Sequence, residues 1–190
     1  MAPEQFSTPA EQFAVGLEAL RVVQDVFPEA LITGGFIRDS LYGVRAKDID
    51  IVVAYSDTAL RDLLDQGFTA QVMNGTEYGT LPGVSCIINM EGYAFPVQLI
   101  VLEAGRTVAD DVASNDFSFC QVSCDGATIW QSEAFIEGFN ADKVTLDVCE
   151  SKQQFDRSMR RWDRLKVKYP FLELVIPLRF ACYAEEEALF

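Results

Sequence analysis

The chain has 190 residues, 49% of them hydrophobic, a formal net charge of -14 and no histidine. One substantial core is within reach of that length, and no apolar run approaches the ~18 to 20 residues of a membrane span. Without histidine, Ser-His and Cys-His nucleophilic mechanisms are excluded, and the scattered Cys86, Cys120, Cys124, Cys149 and Cys182, with no CxxC among them, exclude a structural zinc site. The start, MAPEQFSTPAEQ, has neither the basic flank nor the apolar stretch of a secretory signal, so a cytoplasmic protein with thiols in a reducing compartment is expected.

Thr8-Pro9-Ala10-Glu11 forms a capping box with proline at the first helical position, and Phe13, Leu17, Leu20 and Val23 follow at helical spacing. This predicts an amphipathic helix over 8–27. A short strand over 30–33 leads into Gly34-Gly35, a short helix over 36–42 is stopped by Gly43, and a strand covers 48–54. Ser56 caps a helix ending at Gly67, and a strand follows over 68–72. The glycines and proline of 74–83 make a loop. Strands over 84–89 and 93–102 form a hairpin across Glu91-Gly92, then a short helix covers 107–114. A second strand pair, 117–123 and 127–130, turns at Asp125-Gly126, and a helix over 132–138 with a strand over 143–146 completes a mixed α/β body.

Ser151 and Gln154 open a second capping box, and Phe155, Met159, Trp162 and Leu165 lay one apolar stripe along a helix to Lys168. Seven of the 15 Lys and Arg fall on this helix against only Asp156 and Asp163, so an anionic partner is expected along it. The last twenty residues read as a docked or frayed tail.

The stretch LITGGFIRDSLYGVRAKDIDIVV, residues 31–53, carries the chemistry. Asp48 and Asp50 alternate with apolar residues in a strand, so both carboxylates face one side, as a hydrated divalent cation requires.

The combination GGFIRDSLYG, four intervening residues and DIDIVV resembles the head-domain signature of the class II nucleotidyltransferases, the tRNA nucleotidyltransferases (CCA-adding enzymes) and bacterial poly(A) polymerases. The resemblance implies an α+β nucleotidyltransferase head over 1–147: a small, mixed, mostly antiparallel sheet flanked by helices. A basic C-terminal helix and tail, 148–190, would pack on the same domain. It further implies transfer of a nucleoside monophosphate from an NTP to a hydroxyl, with an RNA 3′ end as the favoured acceptor. Asp48 and Asp50 would be both catalytic and metal ligands for two Mg²⁺ ions, with Mn²⁺ as a substitute. Gly34 and Gly35 would let backbone amides approach phosphate, Arg38 would contact the triphosphate, and Asp39 would orient Arg38 or a ribose.

Three departures accompany the resemblance. Gln98 stands where the family carries a further acid, leaving Glu91 or Glu103 as substitutes. Ser114-Asn115-Asp116-Phe117-Ser118 resembles an Arg-Arg-Asp-Phe-Thr motif without its arginines, so Asp116 is retained as a nucleotide-binding residue, and Arg157 and Arg161 of the basic helix, with Arg160 and Arg164, supply the missing charge. The neck motif Glu-Asp-x-x-Arg has no counterpart, and a CCA-adding enzyme of the usual design is not expected. Expected partners are NTP, a tRNA-like RNA on helix 152–168 and, on the acidic remainder, a protein, with no membrane. The alternatives are transfer to a protein or small molecule, or a degenerate domain that binds nucleotide or protein without turnover.

Overall fold

A computed structural model describes residues 8–73, 83–93 and 95–185; most of the expected 74–83 loop and the end of the tail lie outside them. Chain contacts divide the molecule into two compact units, residues 1–112 with 122–130, and residues 113–121 with 131–190. The segment 113–121 belongs with the C-terminal elements.

The first unit begins with α1 (Pro9–Gln24), whose capping box forms as expected: the Thr8 hydroxyl accepts from the Glu11 N–H at 3.3 Å, and the Glu11 carboxylate accepts from the Thr8 N–H at 3.0 Å. Gly16 of α1 lies under the Phe36 ring, where a Cβ would come within 2.5 Å of ring carbons. β1 (Leu31–Thr33), α2 (Gly35–Leu41), β2 (Ile49–Val53) and α3 (Ala59–Asp65) follow. Next come β3 (Ala70–Met73), β4 (Val84–Met90), β5 (Val97–Leu102) and α4 (Val108–Ala113), and the sheet is completed by β6 (Val122–Cys124) and β7 (Ile129–Gln131).

The seven strands are ordered β3-β4-β5-β2-β1-β6-β7. The pairs β3–β4, β4–β5, β1–β2 and β1–β6 are antiparallel, and β2–β5 is parallel. This mixed, mostly antiparallel sheet with flanking helices is the expected architecture. Its core includes the register row Ile32, Ile51, Leu99 and Ile88, all fully buried, each contributing about 1.5–3 kcal/mol on leaving water.

The second unit holds α5 (Glu133–Ala141), β8 (Lys143–Thr145), α6 (Lys152–Lys168), β9 (Glu173–Val175) and α7 (Ala181–Glu185). Phe119 is its aromatic centre, 6.1 Å from Phe117, 6.3 Å from Trp162 and 5.7 Å from Tyr169, centroid to centroid. One expectation is corrected. Residues 117–123 do not form one strand: Ser118–Cys120 is a 3₁₀ turn, closed by the Gln121 N–H donating to the Ser118 carbonyl, and only Val122–Cys124 is extended. Of the two expected states of the tail, its first residues take the docked one: β9 pairs in parallel with β8, Val144 opposite Leu174.

Candidate active site

One register row of the sheet differs from its neighbours. Asp50 on β2 is paired with Gln98 on β5, and Gln98 with Asn89 on β4. On the other side of Asp50, the β1–β2 register, Leu31 with Val52 and Ile32 with Ile51, continues to place Thr33 opposite Asp50, and Thr33 is paired with Ser123 on β6. The row Ser123, Thr33, Asp50, Gln98 and Asn89 is therefore polar across five strands, beside the apolar row of Ile32 and Ile51. Asp48 and Asp50 are half-buried, whereas Ile49 and Ile51 are fully buried, so alternation along β2 turns both carboxylates to the open face. Gln98 Nε2 donates to Asn89 Oδ1 at 3.0 Å.

The glycine turn stands at the same end of the sheet. Gly34 follows β1 with φ 59 and ψ -119, a backbone conformation that a Cβ disfavours, and its N–H donates to the Val122 carbonyl at 2.9 Å. Gly35 then opens α2, whose first amides have no intrahelical acceptor. Arg38 folds back over this turn: its Nη2 lies 3.5 Å from where a Gly35 Cβ would stand. Asp39 holds it there, accepting from Arg38 Nε at 2.8 Å and Nη2 at 2.6 Å, with both residues buried. Of the two roles foreseen for Asp39, the orientation of Arg38 is the one this geometry displays.

A cleft of about 630 Å³ opens beside Asp48, with Asn89 and Gln98 on its wall, Arg45 and Lys47 at its rim and apolar Phe95 and Val97 beneath. Lys47 Nζ is 3.6 Å from Asp48 Oδ2. Buried Gln12 of α1 grips the backbone just before Asp48, accepting from the Ala46 N–H at 2.9 Å and donating to its carbonyl at 3.4 Å. Both contacts fix the strand entry that carries the first carboxylate. Thr33, Asn89 and Ser123 escaped the sequence reading because only strand register places them in the row of Asp50, and Gln12 because its partner Ala46 lies far away in the chain.

Two carboxylates and a neighbouring carboxamide are hard oxygen donors, and the set fits a divalent cation such as Mg²⁺. Among the described residues no group of three or more Asp, Glu, His or Cys comes together to hold a metal, so neither Glu91 nor Glu103 completes an acidic triad with Asp48 and Asp50.

Asp116, Arg157 and Arg161 belong to the second unit. Asp116 is buried, and its carboxylate accepts from Ser158 Oγ at 2.8 Å, Arg161 Nη1 at 2.6 Å and the Phe117 N–H at 3.0 Å. Its carbonyl accepts from the Asp147 N–H at 2.8 Å. In this arrangement Asp116 and Arg161 tie α6 to the segment before the 3₁₀ turn. Arg157, Arg160 and Arg164 are exposed, at i, i+3 and i+7, opposite the buried face of Phe155, Ser158 and Trp162. Among the described residues these three arginines make no ion pair.

The order of strands, the parallel β2–β5 pair and the helix that opens at Gly35 give the fold seen in the head of solved tRNA nucleotidyltransferase structures. Solved structures with this fold include a tRNA-processing enzyme in an apo form (TM-score 0.63, 15% identity, 96% of this chain and 48% of that one). A CCA-adding enzyme in an apo form matches at TM-score 0.60 and 15% identity, over 90% of this chain and 42% of that one. The Thermotoga maritima CCA-adding enzyme complexed with tRNA matches at TM-score 0.60 and 15% identity, over 90% of this chain and 40% of that one. This chain thus spans less than half the length of the structures it matches. No protein-family model matches the sequence, and neither does any curated protein.

Proposed function

We propose that the chain is a metal-dependent nucleotidyltransferase that moves a nucleoside monophosphate from an NTP to the 3′ hydroxyl of an RNA. The reading is carried by one observation: Asp48 at the entry to β2, Asp50 within it, the Gly34-Gly35 turn and the Arg38–Asp39 pair converge at one end of a sheet whose fold is shared with tRNA nucleotidyltransferases. Asp48 and Asp50 hold Mg²⁺ or Mn²⁺, which when bound lowers the pKa of the acceptor hydroxyl and neutralises the triphosphate. The acceptor oxygen bonds to the α-phosphorus, the bond to the bridging oxygen of the β-phosphate breaks, pyrophosphate leaves and the hydroxyl proton passes to solvent. Amides at the start of α2 and the guanidinium of Arg38 cradle the phosphates. Gln12 keeps Asp48 in line, and the cleft lined by Asn89 and Gln98 admits the acceptor end. The unpaired Arg157, Arg160 and Arg164 follow the RNA backbone, and work in the cytoplasm suits such a substrate.

The test is incubation of the full chain with each labelled NTP, Mg²⁺ or Mn²⁺ and RNAs ending in a free 3′ hydroxyl. Extension by the parent and none by Asp48→Ala or Asp50→Ala is expected. Labelling of protein or of a small molecule alone would move the acceptor to that class.

A second reading, a nucleotide-binding domain without turnover, is favoured by the engagement of Asp116 with Arg161 and by the lack, among the described residues, of a third acid grouped with Asp48 and Asp50. NTP retention with no transfer to any acceptor supports it.

A further inference from the structure

We infer that Gln98, held by Asn89, is the third oxygen ligand of the cation bound by Asp48 and Asp50; the inference rests on the metal-dependent reading above. Gln98 is the register partner of Asp50 on the adjoining parallel strand, and neighbouring strands lie ~4.8 Å apart, so the two side chains rise side by side from the half-exposed face. On its other flank Gln98 is opposite Asn89, to which its Nε2 donates at 3.0 Å. A carboxamide whose nitrogen donates to Asn89 Oδ1 presents its oxygen on the other arm of the same plane. Asn89 thus acts as a positioning residue, fixing which end of the amide the cation meets.

The chemistry of this ligand differs from that of a carboxylate. An amide oxygen is a hard donor but brings no charge, so the protein offers the cation two negative charges, those of Asp48 and Asp50. Such a site binds a bare divalent ion weakly and gains its remaining negative oxygens from the triphosphate, so metal and nucleotide bind together. Metal affinity in this chain is therefore coupled to NTP.

The test uses the full chain with Mn²⁺, whose free fraction is read by electron paramagnetic resonance, and Eu³⁺, whose luminescence lifetimes in H₂O and D₂O count the waters on the ion. Gln98→Ala and the near-isosteric Gln98→Leu should each weaken Mn²⁺ binding ~10-fold and add an inner-sphere water to Eu³⁺. Asn89→Ala should weaken it ~3-fold, since it only loosens the ligand. Gln98→Glu should tighten bare Mn²⁺ ~10-fold and reduce the further gain from a non-hydrolysable NTP. If Asp50→Asn abolishes binding but neither Gln98→Ala nor Gln98→Leu changes affinity or water count, the aspartates are the whole protein ligand set and the inference falls while the metal reading stands. A Gln98→Glu chain that binds Mn²⁺ no tighter than the parent overturns it too. Unchanged Mn²⁺ binding in Asp50→Asn would remove both.

Discussion

Replacing Asp116 should unfasten the second unit. The side chain is 7% exposed, and its carboxylate accepts three hydrogen bonds, from the Phe117 N–H, Ser158 Oγ and Arg161. A hydrogen bond to a buried charge contributes about 1.5–3 kcal/mol, but the Arg161 side chain is 35% exposed and water screens its share to about 1 kcal/mol or less. Allowing for water that enters to satisfy the orphaned Ser158, Asp116→Ala should cost about 3 kcal/mol, and Asp116→Asn, which keeps an acceptor for the Phe117 N–H, about 2 kcal/mol. Urea unfolding followed through Trp162, packed 6.0 Å from the Phe117 ring, gives the assay. With a urea slope of about 2 kcal/mol/M the Asp116→Ala midpoint should fall by about 1.5 M. A double-mutant cycle with Ser158→Ala should show a coupling of about 1 kcal/mol. Asp116→Ala with an unmoved midpoint but lost NTP retention would refute the reasoning and make the carboxylate a nucleotide ligand.

Further outcomes follow from the same geometry. Gly34→Ala places a Cβ on a residue at φ 59 and ψ -119 and should cost about 1–3 kcal/mol, with NTP affinity falling alongside; calorimetric melting and NTP titration check it. Gln12→Ala leaves both polar groups of Ala46 without their side-chain partner and should lower stability by about 1–3 kcal/mol and weaken Mn²⁺ binding, whereas an effect on melting alone would separate Gln12 from the site. Reversing Arg157, Arg160 and Arg164 together to Glu should abolish RNA retention and flatten its salt dependence without changing NTP binding, measured by anisotropy across a salt series. Thr107 holds the exposed Asp110 carboxyl below its usual range through hydroxyl and N–H hydrogen bonds. This capping contribution is present above the unfolded carboxylate pKa and lost as pH falls through the lower folded value, which an NMR titration of Asp110 reads directly.

Local signals carried much of this architecture. The capping box at Thr8 and the side-chain cap of Ser151 marked α1 and α6 to within a few residues, because a cap is a contact between residues three apart and is written in the sequence. Gly34, Arg38 and the Asp48/Asp50 alternation were legible for the same reason. What depended on register was not. Nothing local to β4 announces that Asn89 will meet Gln98, or that Thr33 and Ser123 extend the row past Asp50, since strand partners are chosen by the whole sheet. The 3₁₀ turn at Ser118–Cys120 hid under residues with good strand propensity, its conformation settled by Ser118, whose hydroxyl accepts from the Thr145 N–H at 3.0 Å. The charge stripe of α6 was visible, but only packing distinguishes Arg161, bound to Asp116, from its unpaired neighbours.

The parallel pairing of β2 with β5 in the large sheet sets a timetable for the chain. Parallel strands cannot be joined by a tight turn, and here the connection detours through α3, β3 and β4 before β5 can dock. Loop-closure entropy makes such a contact slow relative to the hairpin of β4 and β5. A chain still emerging from the ribosome therefore displays Asp48 and Asp50 before Gln98 has been brought beside them. Completion of the row reports that the crossover has closed, so acquisition of the proposed cation site becomes a late event in folding, and refolding kinetics followed by Mn²⁺ uptake should lag behind those followed by helix formation.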